Sequence, residues 1–212
     1  MALRKIHKDG DPALKKKAKP VTKFDNRLAI LIDDMIETLK DANGVGLAAP
    51  QVGIIKKVIV IDTDEEAGFV ELVNPVIYER KGEQVYYEGC LSYPGYYGNV
   101  GRPKTVKVRA FNRKGEAIAF EAGGLYAVAC SHEADHLEGE MFMPKVKGPL
   151  YTLEEVKAMR EKAEAKTSGA TAGDTGAGGE TQPQAGGVYD PETKDGAESK
   201  ASEGYMRRIN PL

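Results

Sequence analysis

The sequence predicts an α+β fold: antiparallel or mixed sheets packed around a central helix, followed by a disordered C-terminal tail. Three observations carry that expectation. Helical and strand-like segments occur in blocks, one helix, then strands, then two helices, which is not the alternating order of a parallel βαβ sheet. The most chemically loaded segment, His132-Glu133-Ala134-Asp135-His136, falls inside the second helical block. Near Thr167 the composition shifts to Gly, Ala, Thr, Glu, Ser and Pro.

Each element has its own signal. Leu28, Leu31, Ile32, Met35, Ile36 and Leu39 recur with the spacing of an amphipathic helix. Asp25 stands at its N-cap position and Asn43-Gly44 supplies its stop. Strand-like runs follow at 57–62, 70–78, 84–88, 104–111 and 117–122, and Asn112-Arg113-Lys114-Gly115 reads as the turn of a hairpin between the last two. The second helix begins after Gly123-Gly124 and ends near Gly139. A third begins at Thr152, where Thr152-Leu153-Glu154-Glu155 forms a capping box, with Tyr151 and Val156 placed for a hydrophobic staple. Residues 1–166 form the working domain. Residues 167–212 form a Gly/Ala/Glu-rich tail, with nine glycines between Gly169 and Gly204 and no periodicity. Such a segment buries too little apolar surface to offset its ordering entropy. Its last stretch, Tyr205 to Leu212, carries residues that could dock, but a solvated terminus is the expectation.

Bulk properties narrow the function classes. The 212 residues carry 30 Lys+Arg against 32 Asp+Glu, a formal net charge of −2. That balance excludes whole-protein attraction to nucleic acid or anionic lipid, and no sequence-specific nucleic-acid binding is expected. Two cysteines are too few for a disulfide scaffold and suit a reducing compartment. The basic N-terminus lacks the apolar region of a secretory signal, and no apolar run reaches the ~20 residues that span a bilayer. The expectation is a cytoplasmic protein without membrane partners.

The H-E-x-x-H segment carries the chemistry. Residues four apart share one helix face, so His132 and His136 can grip one cation. Leu125, Val128, Ala129, His132 and His136 lie along one stripe, which places both imidazoles on the buried side, where an unpaired ring is costly. Glu133 sits about 100° round the helix, beside a cation rather than on it, as suits a carboxylate that moves protons for a bound water. A third ligand is needed. Phe142 stands where an H-E-x-x-H-x-x-G-x-x-H pattern requires histidine. Glu154 and Glu155 are available, as a thermolysin-like metallopeptidase would need, although capping accounts for them. Cys90, in Glu88-Gly89-Cys90-Leu91-Ser92 at a strand end, is the better donor. One cysteine and two histidines leave a position for water or substrate, the open arrangement of a catalytic site. Cys130 lies about 200° from His132 and reads as a packing residue.

Gly44-Val45-Gly46-Leu47-Ala48-Ala49 mimics a dinucleotide fingerprint, with Asp62 and Asp64 at about the ribose-binding distance. The context rejects it, because a helix precedes the glycines and Pro50 interrupts any helix opening there. What remains is an extended glycine-rich loop ending in Pro50-Gln51. It could let a substrate backbone pass closely with Gln51 as donor, or be a plain connection with an exposed glutamine.

Together, Gly44 to Gln51, Glu88 to Ser92 and His132 to His136 resemble, in identity, order and spacing, the three signature motifs of peptide deformylase. Gly10-Asp11-Pro12-Ala13-Leu14 and Arg102-Pro103 are also similar, and the resemblance covers about residues 1–165. It implies hydrolytic removal of the formyl group from the N-terminal formylmethionine of nascent chains, releasing formate. It also implies one divalent metal ion, Fe2+ natively, with Zn2+, Ni2+ or Co2+ tolerated. Carried over by motif, Cys90, His132 and His136 are the metal ligands and Glu133 the general acid/base. The Leu91 backbone N–H and the Gln51 side chain meet the oxyanion, and Gly46 shapes the substrate cleft. Val45, Leu125, Val128 and Ala129 are candidates for a methionine pocket, although core packing accounts for them equally. Asp135 is expected to pair with Arg102, either to support a ligand or as a surface pair. The partners implied are N-formylmethionyl nascent peptides. Contact with the ribosome near the tunnel exit would use Lys157, Arg160 and Lys162, for which a solvated helix face is the plainer account. Ser131 departs from the Gln common in the family before the first histidine, and Met141-Phe142-Met143-Pro144 from its more acidic segment end. The alternative reading is an H-E-x-x-H metallopeptidase.

Overall fold

The computed structural model describes residues 2–62, 68–159 and 204–208. Helix α1, Asn26–Asp41, starts where the sequence places it: the Asp25 carboxylate accepts from the N–H groups of Arg27 and Leu28. Strands β1 (Gly46–Ala48), β2 (Val58–Asp62), β3 (Phe69–Lys81), β4 (Gln84–Cys90), β5 (Tyr93–Arg102), β6 (Thr105–Phe111) and β7 (Ala117–Gly124) follow. Helix α2 is Leu125–Glu138, β8 is Val146–Thr152, α3 covers residues 153–159, and β9 is Gly204–Arg208.

Two antiparallel sheets result, one in the order β1-β2-β3-β6-β7-β9 and one in the order β4-β5-β8. Every pairing among the described strands is antiparallel, so the mixed option is not used. The larger sheet is covered on both faces, and β2 shows why its sequence is an unbroken apolar run. Val58 and Val60 join the core beneath α1, with Leu31, Ile32, Met35 and Leu39, while Ile59 and Ile61 point the other way, toward Ala127, Cys130 and Leu137 of α2. Helix α2 is therefore sandwiched, and nearly every one of its residues up to Leu137 is buried. The expected single buried stripe is replaced by burial all round. Gly139 ends the helix in the left-handed region (φ +78°), and a side chain there would also strike the Lys15 backbone.

Strands β1, β5 and β8 were not expected, for identifiable reasons. β1 has three residues and begins with a glycine. β5 holds Pro94 and three glycines, and β8 contains Gly148-Pro149. β8 is an edge strand, where a proline costs no ladder bond. At the third helix the capping box forms as read: Glu155 N–H donates to Thr152 Oγ1 while Thr152 N–H donates to the Glu155 carboxylate.

The tail expectation needs correction. Gly204–Arg208 is not a solvated terminus: it pairs with β7, Met206 packs on the core around α2, and Arg207 pairs with Glu121 at 3.2 Å. An unpaired β7 edge and an apolar side chain provide enough contact to order it. The remainder of 167–212 lies outside the described residues. At the other end, residues 2–11 run across α1 and on to two loops. Ala2 N–H donates to Asp34 and Arg4 N–H to Thr38, then His7 N–H to the Gln51 carbonyl and Asp9 N–H to the Ser92 carbonyl.

Ending the chain at residue 203 should cost about 1–2 kcal/mol of stability through lost Met206 burial and increase self-association along the bared β7 edge. Denaturant unfolding and size-exclusion chromatography check this; an unchanged midpoint and a purely monomeric variant would contradict it.

Candidate metal centre and substrate cleft

Strand periodicity prepares one half of the site. Tyr86, Glu88 and Cys90 alternate along β4 on the face turned toward α2. Cys90 pairs with Tyr93 across the two-residue turn Leu91-Ser92, which places the sulfur at the hairpin tip. Helix α2 supplies the other half. Cys90 Sγ lies 3.2 Å from His136 Nε2, and one donor atom each from Cys90, His132 and His136 fall within 4.8 Å of one another.

A polar chain behind these donors fixes their orientation. His132 Nδ1 is 2.9 Å from Glu88 Oε2. Arg102 grips the same carboxylate with two nitrogens, at 2.6 and 2.8 Å, and reaches Asp135 at 2.7 Å, which Lys145 also contacts at 2.6 Å. Burial disfavours an ionised Glu88, but bonds from Arg102 and His132 override it and hold its pKa down to about 2. An ionised Glu88 only accepts, so His132 donates from Nδ1 and turns Nε2 toward the other donors. Burial pulls His132 down, yet contacts with Cys90 and Glu88 raise it well above its ordinary range. Burial, then the neighbouring His132 charge, pushes His136 well below its own. A divalent cation among the three donors would displace any proton they hold. Thiolate and imidazole suit a first-row transition metal or zinc, and the donor set fits one.

Beside the triad, Glu133 is 4% exposed, and its Oε2 has no hydrogen-bond partner among the described residues. Burial first, then the charges of Glu88 and Asp135, push its pKa up to about 7. Gly46 explains how the carboxylate fits: a Cβ there would sit 2.7 Å from Glu133 Oε1. Gln51 is buried, not an exposed loop residue. Its carbonyl oxygen accepts from Ala48 N–H at 2.8 Å, which aims its amide at Ser92 Oγ (3.2 Å) and Cys90 Sγ (3.7 Å).

A cleft of about 340 Å³ opens over these groups. Val45, Gly46, Gln51, Cys90, Leu91, Leu125, Val128, Ala129, His132 and Glu133, all singled out in the sequence, line it. His136 stands behind it. Val45, Leu125 and Val128 pack with Tyr86 as one apolar cluster. Sequence reasoning missed Tyr86, Ser92 and Lys8, and gave Glu88 no role, although its i−2 spacing from Cys90 is a usable signal. Of the competing ligands, Glu155 caps α3 and Glu154 is exposed; Phe142, standing where a third histidine would be needed, packs 5.9 Å from the His132 ring. Cys130 faces the sheet, its thiol pushed up by burial.

Two substitutions probe this arrangement. Arg102→Met strands the buried Glu88 carboxylate, while the half-buried Asp135 keeps Lys145, and should destabilise the protein by about 3–5 kcal/mol, read by denaturant unfolding; a loss under 1 kcal/mol contradicts the bridge. Gly46→Ala should move the Glu133 carboxylate and lower kcat at least tenfold with little change in thermal midpoint, and an unchanged kcat contradicts the packing argument.

The sequence matches the Polypeptide deformylase family over residues 3–150. It is 54% identical over 146 residues to a peptide deformylase of Acetivibrio thermocellus, covering 69% of this chain and 85% of that one. Against peptide deformylase 1 of Bacillus subtilis it is 46% identical over 159 residues, covering 75% and 99%. The fold is similar to the crystal structure of peptide deformylase from Thermotoga maritima (TM-score 0.67, 42% identity, covering 70% of this chain and 100% of that one). It is likewise similar to the Synechococcus elongatus peptide deformylase in complex with actinonin (TM-score 0.66, 39% identity, 76% and 86%). With a Cys/His/His donor set, a buried glutamate beside it and a family match over residues 3–150, the chain belongs to the polypeptide deformylase family.

Proposed function

We propose that residues 1–166 are the catalytic unit, with Cys90, His132 and His136 holding one divalent cation, Fe2+ natively and Zn2+, Ni2+ or Co2+ as substitutes. The chain is a metal-dependent hydrolase that removes the formyl group from N-terminal formylmethionine and releases formate. The observation that carries the residue assignments is the meeting of three soft donors with an unpartnered, high-pKa Glu133 at the floor of an apolar cleft. When bound, the cation acts as a Lewis acid and brings the pKa of a coordinated water toward neutrality.

The residues do the rest. Glu133, poised near neutral pH, takes a proton from the attacking water and delivers it to the amine nitrogen as the C–N bond breaks. The Leu91 N–H and the Gln51 amide meet the oxygen on which negative charge develops. Val45, Leu125, Val128 and Ala129 wall the side chain of methionine, and Gly46 leaves room for both Glu133 and the substrate backbone. The metallopeptidase alternative is not favoured: the family match points elsewhere, and of its two candidate downstream ligands Glu155 is engaged in capping and Glu154 is exposed. Acting on nascent N-formylmethionyl peptides, the enzyme would work in the cytoplasm; among the described residues no helix is long and apolar enough to cross a membrane. A ribosome contact near the tunnel exit belongs to the proposal through Lys157; Arg160 and Lys162 lie outside the described residues.

Cys90→Ala should lose the metal, measured by elemental analysis of anaerobically prepared protein, while Glu133→Ala should keep it and lose formate release from a formyl-Met peptide. Metal retained in the first variant, or wild-type turnover in the second, contradicts the assignments. Gln51→Leu should lower kcat by about 10²–10³ with the metal content unchanged.

A further inference from the structure

We infer that Lys8 is a positioning residue that tunes the Cys90 sulfur through a single peptide group. The Lys8 Nζ donates to the Leu91 carbonyl oxygen at 2.7 Å. The same peptide unit carries the Ser92 N–H, which donates to Cys90 Sγ at 3.4 Å. A trans peptide holds its oxygen and its hydrogen on opposite sides. The ammonium therefore sits at the negative end of this amide dipole and the sulfur at its positive end. A cation on the carbonyl draws electron density toward oxygen and strengthens the N–H as a donor, as linked hydrogen bonds polarise one another.

The contact is more than a long side chain folded down by chance. The backbone on either side of Lys8 is pinned to the same two loops, His7 N–H to the Gln51 carbonyl and Asp9 N–H to the Ser92 carbonyl, each at 2.8 Å. That clamp removes much of the entropy a free lysine would lose in reaching Leu91. Lys8 also lines the mouth of the cleft. No residue assigned a role so far accounts for a cation at this place.

The chemistry gives the direction. A stronger hydrogen bond to a thiolate lowers the energy of its lone pairs, so the sulfur gives less charge to a bound cation and leaves it more acidic toward substrate oxygen. Without Lys8 the sulfur becomes the better donor and the cation the weaker acid. Direct outer-shell partners of a metal site are worth about 10–100-fold. Lys8 acts one peptide further out, and about three- to tenfold in kcat is expected. The KM for a formyl-Met dipeptide should stay constant, since the ammonium is engaged with Leu91.

This inference rests on Cys90 being a metal ligand, and the test separates the two ideas. Wild type, Lys8→Met, Lys8→Arg and Cys90→Ser are loaded with Co2+ and the sulfur-to-cobalt charge-transfer band is recorded with thermal midpoint and steady-state kinetics. Lys8→Met should shift the band to longer wavelength and lower kcat three- to tenfold at unchanged KM and midpoint, and Lys8→Arg should restore both. A Lys8→Met band at the wild-type position overturns the inference, even if kcat falls. So does a loss confined to KM, which would make Lys8 a substrate contact. A wild-type spectrum without the band, no different from Cys90→Ser, sinks the ligand assignment itself.

Discussion

The site depends on one buried guanidinium. Arg102, 6% exposed at the end of β5, joins Glu88 on β4 to Asp135 on α2 and so ties the hairpin bearing the sulfur to the helix bearing the imidazoles. Two sheets and a helix meet here, and apolar packing alone is non-directional. It would bring the elements together without fixing where their donors point. The planar fork of an arginine fixes direction, because it holds a carboxylate in two-point register. From Glu88 the constraint passes to His132 Nδ1 and selects which nitrogen faces the other donors.

The same polar chain separates two carboxylates by environment. Glu88 and Glu133 are both buried, at 4% exposure each. Glu88 accepts from Arg102 and His132 and stays ionised with its pKa down at about 2. Among the described residues Glu133 lacks such donors, so burial dominates and its pKa rises to about 7. One is held ionised as an anchor, and the other is left in the range that the proposed acid/base role requires. Gly46 completes the separation by admitting the Glu133 carboxylate beside β1.

Much of this was legible in the residues. The cap at Asp25, the hairpin at Asn112 to Gly115, the limits of α2 and the His132–His136 pair have local signals. Capping, turn chemistry and i,i+4 spacing act within a few residues of chain. What escaped depends on partners distant in sequence. β5 and β8 contain glycine and proline that local propensity counts against a strand, yet Gly98 is what lets Val146 of β8 approach. β9 is held by the edge of β7 and by Met206 against the core around α2, partners far earlier in the chain. Lys8 looks like one of many N-terminal basic residues until the chain brings it against Leu91.

X-ray absorption of the zinc-loaded protein tests the central claim most directly, because it counts the donors around the ion. The account predicts one sulfur at about 2.3 Å, two imidazole nitrogens at about 2.0–2.1 Å and one oxygen from solvent. A shell without sulfur, or one closed by four protein donors, would contradict it.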